Sequence, residues 1–313
     1  MMTSVLYAEY KMRTFWGRPS SFVSFDDYTS IAVDNNHMCM SHCYATLYCV
    51  MSLFENGVCY NYNYNTVLTV EQLDWYSDSY VALKTNGTSS DEMCSVEFVD
   101  IFPFNMTIYD PRYPLMSFEY TVSYQTKEIS FTYNVTRLCP PGFTKFVRPK
   151  GEYCLYVYAT LTTLLTYNEA AEICTGTYKG VLSGLETEEE RIFVAAQGEV
   201  NNLKDTYGAN MFWISGNRKN DCSTTAQVAE PACAGINGFT QTDLYLTTLD
   251  GYKWSENNPD GVTADGATQS CIIIWTEKNP GTLHGKVDDM TCGANKTQYA
   301  AVRGFLCGRV AGV

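Results

Sequence analysis

The sequence predicts an α+β chain built from two disulfide-stapled modules, and three observations predict it. Thirteen cysteines run through the 313 residues. In the C-terminal half, two amphipathic segments that open on capping boxes alternate with apolar runs of strand type. In the N-terminal half, stretches rich in Tyr, Val and Thr surround one short helical segment. A chain of this length holds about two domains, each able to bury a core. The content of 45% hydrophobic and 18% charged residues is that of a globular protein.

The net charge of −13 and the lack of any basic run exclude a phosphate-binding surface, so no nucleic-acid partner is expected. With only His37, His42 and His284 to accompany the cysteines, and no CxxC pair, the thiols predict disulfides and an oxidising compartment over zinc. Sequons at Asn86, Asn105, Asn134 and Asn295 are candidate glycosylation acceptors and agree with an extracellular, secreted protein. The first residues, MMTSVLYAEYKMRTFWGRP, show no signal peptide, so that localisation rests on the thiol count. The longest apolar run, YCLYVYATLTTLLTY, is too short and too rich in Thr and Tyr to span a bilayer, and no membrane span is expected.

Residues 11–94 form the first module. Cys39, Cys43, Cys49 and Cys59 are spaced C-x3-C-x5-C-x9-C, and Cys39 and Cys43 share one face of a helix. Nested bridges Cys43–Cys49 and Cys39–Cys59 would pin that helix to a sheet. FWGRP before it and SYVALKT after it read as flanking strands, and residues 57–70 as strands around an Asn-containing turn. With FWGRP at one end and VALK at the other, this spacing resembles the PAN/apple-like modules of the nematode CW type. That resemblance implies an extracellular binding fold, a helix cradled by a curved sheet, with protein or carbohydrate partners. Residues 95–138 alternate aromatic and polar side chains, as in SFEYTVSYQTKEISFTYNV, which suggests period-2 strands; two sequons and three prolines make this a partly structured connector. Cys94 makes the cysteine count odd: it is free, pairs between chains, or competes for Cys139.

Residues 139–313 form the second module. It opens on a short segment closed by Cys139 and Cys154. In TYNEAAEICTG, Thr166 and Glu169 make a capping box, and Tyr167, Ala170, Ala171 and Cys174 fall on one helix face. A strand through Val181, Leu182 and Leu185 leads to a second box at Thr187 and Glu190, with Ile192, Phe193, Ala196 and Val200 as the apolar face. The run Glu188 to Glu190 complements the positive end of that helix. MFWISG is a buried strand, Cys222 and Cys233 form a local bridge in a polar excursion, and CIIIW, KVDDMTC and YAAVRGFLCGR are closing strands.

In order, Cys139, Cys154, AAEIC, the L-x-x-L-x-T-x-x-E of residues 182–190, WISG, W-x4-P, Cys271, DD-x-x-C and Cys307 resemble a long-form C-type lectin-like domain. The resemblance implies a fold of two helices, antiparallel strands and a long loop region, and the pairings Cys139–Cys154, Cys174–Cys307 and Cys271–Cys292. It also implies a Ca²⁺ and sugar site at Asn258, Pro259 and Asp260, Gln269, Asp288 and Asp289, with a cis peptide before Pro259. Here Asn258 stands for the family's Glu or Gln, Gln269 for its Glu, Asp288 for its Asn, and Val287 for its Trp. All five proposed ligands, Asn258, Asp260, Gln269, Asp288 and Asp289, carry oxygen, as Ca²⁺ requires.

No G-x-S-x-G, HExxH, P-loop or G-x-G-x-x-G is present, and no enzyme is expected. The expected function is recognition of a glycan or glycoprotein, Ca²⁺-dependent, in surface or microbe recognition. The alternative is a Ca²⁺-independent protein-binding or structural module on the same folds.

Overall fold

The computed structural model describes residues 10–24, 28–74, 77–86, 102–202, 207–261, 268–277, 280–297 and 299–313. The chain divides into two compact units, 1–137 and 138–313. Cys94 lies outside the described residues. Among the described residues, no helix is long and apolar enough to cross a membrane.

The first unit contains β1 (Tyr10–Phe22), β2 (Tyr28–Ala32), α1 (Asn36–Ala45), β3 (Cys49–Glu55), β4 (Val58–Asn63), β5 (Val67–Gln72), β6 (Tyr80–Asn86), β7 (Phe104–Ile108), β8 (Met116–Gln125) and β9 (Glu128–Arg137). Asn35 caps α1 by accepting the Met38 N–H. Cys39 and Cys43 are the buried residues of that helix, and their bridges to Cys59 and Cys49 fasten it to β4 and β3. A nine-stranded sheet runs in the order β2-β4-β3-β6-β1-β5-β9-β8-β7. The connector reading of 95–138 is therefore corrected. Its described part supplies three strands, which join through β5 and β9, and the unit boundary falls after Arg137. The alternation seen in the sequence is that of a half-buried sheet: Tyr120, Val122, Ile129 and Phe131 enter the same core as Val50, Leu53 and Val81. Thr126 and Lys127, both with positive φ, make the tight turn between β8 and β9.

The second unit contains β10 (Thr144–Arg148), β11 (Gly151–Ala159), α2 (Tyr167–Tyr178), β12 (Val181–Leu182), α3 (Glu188–Asn202), β13 (Ala209–Arg218), α4 (Thr225–Val228), β14 (Phe239–Thr240), β15 (Cys271–Glu277), β16 (Val287–Met290) and β17 (Ala300–Val310). The sheet order is β10-β11-β17-β13-β15-β16, with β12 beside β17 and β14 beside β13. Both faces are covered, which is why CIIIW reads as an unbroken apolar run. Cys271 and Ile273 pack with α2 residues Ala170 and Cys174, while Ile272 and Ile274 pack on the opposite side with Val194 and Phe239. Bridges Cys139–Cys154, Cys174–Cys307, Cys222–Cys233 and Cys271–Cys292 are formed. Thr166 and Glu169 make both halves of the α2 capping box.

The second helix departs from the sequence reading. Ile192 and Val200 are 54% and 59% exposed, and α3 instead buries Glu190, Val194, Ala195 and Gly198. A Cβ on Gly198 would lie 2.3 Å from Thr276 Cγ2, so the helix sits close on β15 at that glycine. Thr187 accepts the Glu190 N–H, but the Glu190 carboxylate turns inward to the Glu186 N–H and forks onto Arg148. Glu190 is thus a buried counter-ion and not a surface complement to the helix dipole. A third partner, Asp243, accepts from Arg148 Nη1 at 2.8 Å and from Ser183 Oγ at 2.7 Å, which ties β10, α3 and the start of the long loop together.

Candidate functional site

The segment KWSENNPDG is held against β16 by backbone bonds: the Val287 N–H donates to the Lys253 carbonyl, and the Ser255 N–H to the Val287 carbonyl, both at 2.9 Å. That zipper is what brings two stretches some thirty residues apart into one place. The Asn258–Pro259 peptide is cis. Asn258 donates from its amide to Ser255 Oγ at 2.8 Å. The N–H groups of Asp260 and Gly261 then donate to the two Asp289 oxygens at 3.2 and 2.9 Å.

A residue that the sequence reading did not single out completes the site. Arg218, the last residue of β13, donates from Nη2 to Asp289 Oδ2 at 2.5 Å and from Nε to the Gln269 carbonyl at 2.7 Å. Both side chains of the Arg218–Asp289 pair are buried, at 1% and 0% exposure. The guanidinium lies 4.5 Å from the Phe239 ring centroid, and Phe239 stacks on Trp254. Among the described residues, the buried Arg218 Nη1 has no hydrogen-bond partner. The signal in the sequence was a lone arginine closing a buried strand, opposite loops that carry three aspartates.

The two adjacent aspartates separate. Asp289 pairs with Ile272 and Asp288 with Ile273 across the β15–β16 ladder, so their side chains leave the strand on opposite faces. Asp288 accepts the Trp275 indole N–H at 3.0 Å. Burial pushes its carboxyl up to about 6; the indole opposes this, while the charges of Asp289 and Asp260 add to it. Burial also raises Asp289, and the Arg218 charge opposes that.

Of the five sequence-derived ligands, Asn258, Asp260 and Asp289 come together, Gln269 joins through its backbone carbonyl, and Asp288 stands on the other face. A Ca²⁺ ion takes six to eight oxygens in a shell with net negative charge. As placed, these residues do not fit one: Asp289 is occupied by a guanidinium and two backbone N–H groups, and Asp288 by an indole. Among the described residues, no group of three or more His, Cys, Asp or Glu is arranged to hold a metal.

The family model described as C-type lectin domain-containing protein 141/158 matches residues 144–310, more than half of the chain. The chain belongs to that family. A PAN-like domain matches residues 12–85 of this C-type lectin family member. Among solved structures, human lithostathine is similar over 54% of this chain and 89% of its own, at 17% identity and a TM-score of 0.35. No curated protein matches. Membership of a C-type lectin family carries a general recognition role.

Proposed function

We propose that the C-terminal domain recognises a glycan or glycoprotein outside the cell without Ca²⁺, the Arg218 guanidinium holding the 258–261 loop in the place of a cation. The observation that carries this is the buried Arg218–Asp289 pair: one arginine neutralises the carboxylate, and through it fixes the two loop N–H groups. A buried charge with neither partner nor water would cost several kcal/mol, so the pair supplies internally what a bound ion would otherwise supply. Glu256 and Asn257 are exposed, and Asn258, Pro259 and Asp260 half-buried, which leaves a polar rim for ligand hydroxyls. Six disulfides and the exposed sequons at Asn86, Asn105 and Asn134 support secretion and glycosylation. The role is binding, not catalysis.

Glycan-array binding in Ca²⁺ and in EDTA tests this. Binding that is equal in both buffers and weakened by Asp260→Ala is the expected result. Binding lost in EDTA would restore the Ca²⁺-dependent reading, and no binding at all would favour a structural role.

A further inference from the structure

The first unit carries a groove of about 460 Å³ lined by Tyr48, Asn63, Tyr64, Arg112, Tyr113 and Phe118, with Met116 beside them. Phe118, on β8, is its hub: the rings of Tyr48, Tyr64 and Tyr113 meet it edge-on, with centroids 5.7, 5.6 and 6.3 Å away. Beneath them Asp110 is fully buried. It accepts from the Arg112 backbone N–H at 2.8 Å, from Arg112 Nε at 3.0 Å, and from the Tyr48 hydroxyl. Arg112 Nη2 also pairs with it at 3.0 Å, yet the Arg112 side chain is 66% exposed. The guanidinium is therefore pinned through Nε and Nη2, 5.3 Å from the Tyr48 ring and 5.8 Å from the Tyr113 ring, while most of the side chain stays open to solvent.

We infer that this groove binds a neutral saccharide. Tyrosine rings present a negative face to the C–H groups of a pyranose and a hydroxyl at the edge, and they lose little rotamer freedom in doing so. A guanidinium fixed along one edge offers parallel donors to adjacent hydroxyls, and the Asn63 amide adds both a donor and an acceptor. Charge selects against anionic ligands. Asp110 cancels Arg112, so the groove has no excess positive charge to hold an anion, and the chain as a whole is at −13. The volume falls within the ~300–1,000 Å³ of ordinary ligand pockets. The site also gives a use to the strands beyond the PAN-like match, which ends at residue 85: Tyr48, Asn63 and Tyr64 come from within that match, whereas Arg112, Tyr113 and Phe118 come from after it. It is independent of the long-loop reading.

The test is ligand-observed saturation-transfer NMR on the full chain with chitotriose, mannotriose and maltotriose, and with 3′-sialyllactose as the anionic control. At least one neutral trisaccharide should bind. Tyr113→Ala, at a side chain on the surface, should weaken that binding about tenfold or more without moving the melting temperature, and Arg112→Lys should weaken it as well. Asp260→Ala, in the long loop, should leave it intact. Binding that survives Tyr113→Ala, binding of sialyllactose alone, or no binding of any of the four sugars would overturn the proposal.

Discussion

Arg218 and Arg112 each meet a fully buried aspartate, and they differ in where the rest of the guanidinium goes. Arg218 is 1% exposed, and it spends its charge on holding Asp289 and, through it, the 258–261 loop. Arg112 is 66% exposed, so Asp110 fixes its orientation while most of the side chain stays in solvent. The same ion pair thus serves as internal scaffold or as ligand contact according to the burial of one partner. Lys84 extends the series. It is 1% exposed, its Nζ donates to the Thr46 carbonyl at 2.7 Å, and burial pushes its pKa down to about 8.

The largest expected effect is at the fully buried pair. Arg218→Met strands the Asp289 carboxylate and should cost about 3–5 kcal/mol in urea unfolding. A loss below about 1 kcal/mol would mean that Asp289 is not held as described.

Lys84 should move the other way. Between pH 8 and its ordinary value of about 10.4, the unfolded chain binds a proton that the folded chain does not, so stability rises with pH across that window. Below pH 8 both states are protonated, and the folded one carries a penalty on the order of 3 kcal/mol. Lys84→Met should therefore stabilise the first unit at pH 7 and flatten the rise above pH 8, because the Thr46 carbonyl keeps the Cys49 N–H as a partner. Unfolding midpoints at pH 7 and pH 10 check both effects.

The smallest stability effect is expected at Arg112. A double-mutant cycle with Asp110 should give a coupling well below that of Arg218 with Asp289, because solvent screens the largely exposed Arg112 guanidinium. Equal couplings would break the contrast between the two pairs.

Much of this was legible in the sequence. The nested bridges of the first unit and the local Cys139–Cys154 and Cys222–Cys233 bridges were readable from spacing, whereas Cys174–Cys307 and Cys271–Cys292 were implied by the family resemblance and not by spacing. The helix α2 was readable because its buried face, Tyr167, Ala170 and Cys174, is apolar. The face of α3 was not, since it includes Glu190 and Gly198: a charged residue whose partner Arg148 is forty-two positions away in the sequence, and a glycine chosen for close approach to Thr276. Strands β8 and β9 were visible as alternation, but their attachment to β5 is a long-range pairing that local pattern does not encode. At the candidate site the proximity of Asn258, Asp260 and Asp289 was readable from motif order. The opposite facing of Asp288 and Asp289 follows from strand periodicity. Arg218 was missed because its role depends on loops that lie far from it in the chain.

Whether Arg218 does the work of a cation is tested by thermal unfolding of the full chain with saturating Ca²⁺ or with EDTA. Binding to the folded state alone would raise the melting temperature by mass action. The same midpoint is expected in both buffers; a Ca²⁺-dependent rise that is abolished by Asp289→Asn would show that an ion, and not Arg218, holds Asp289.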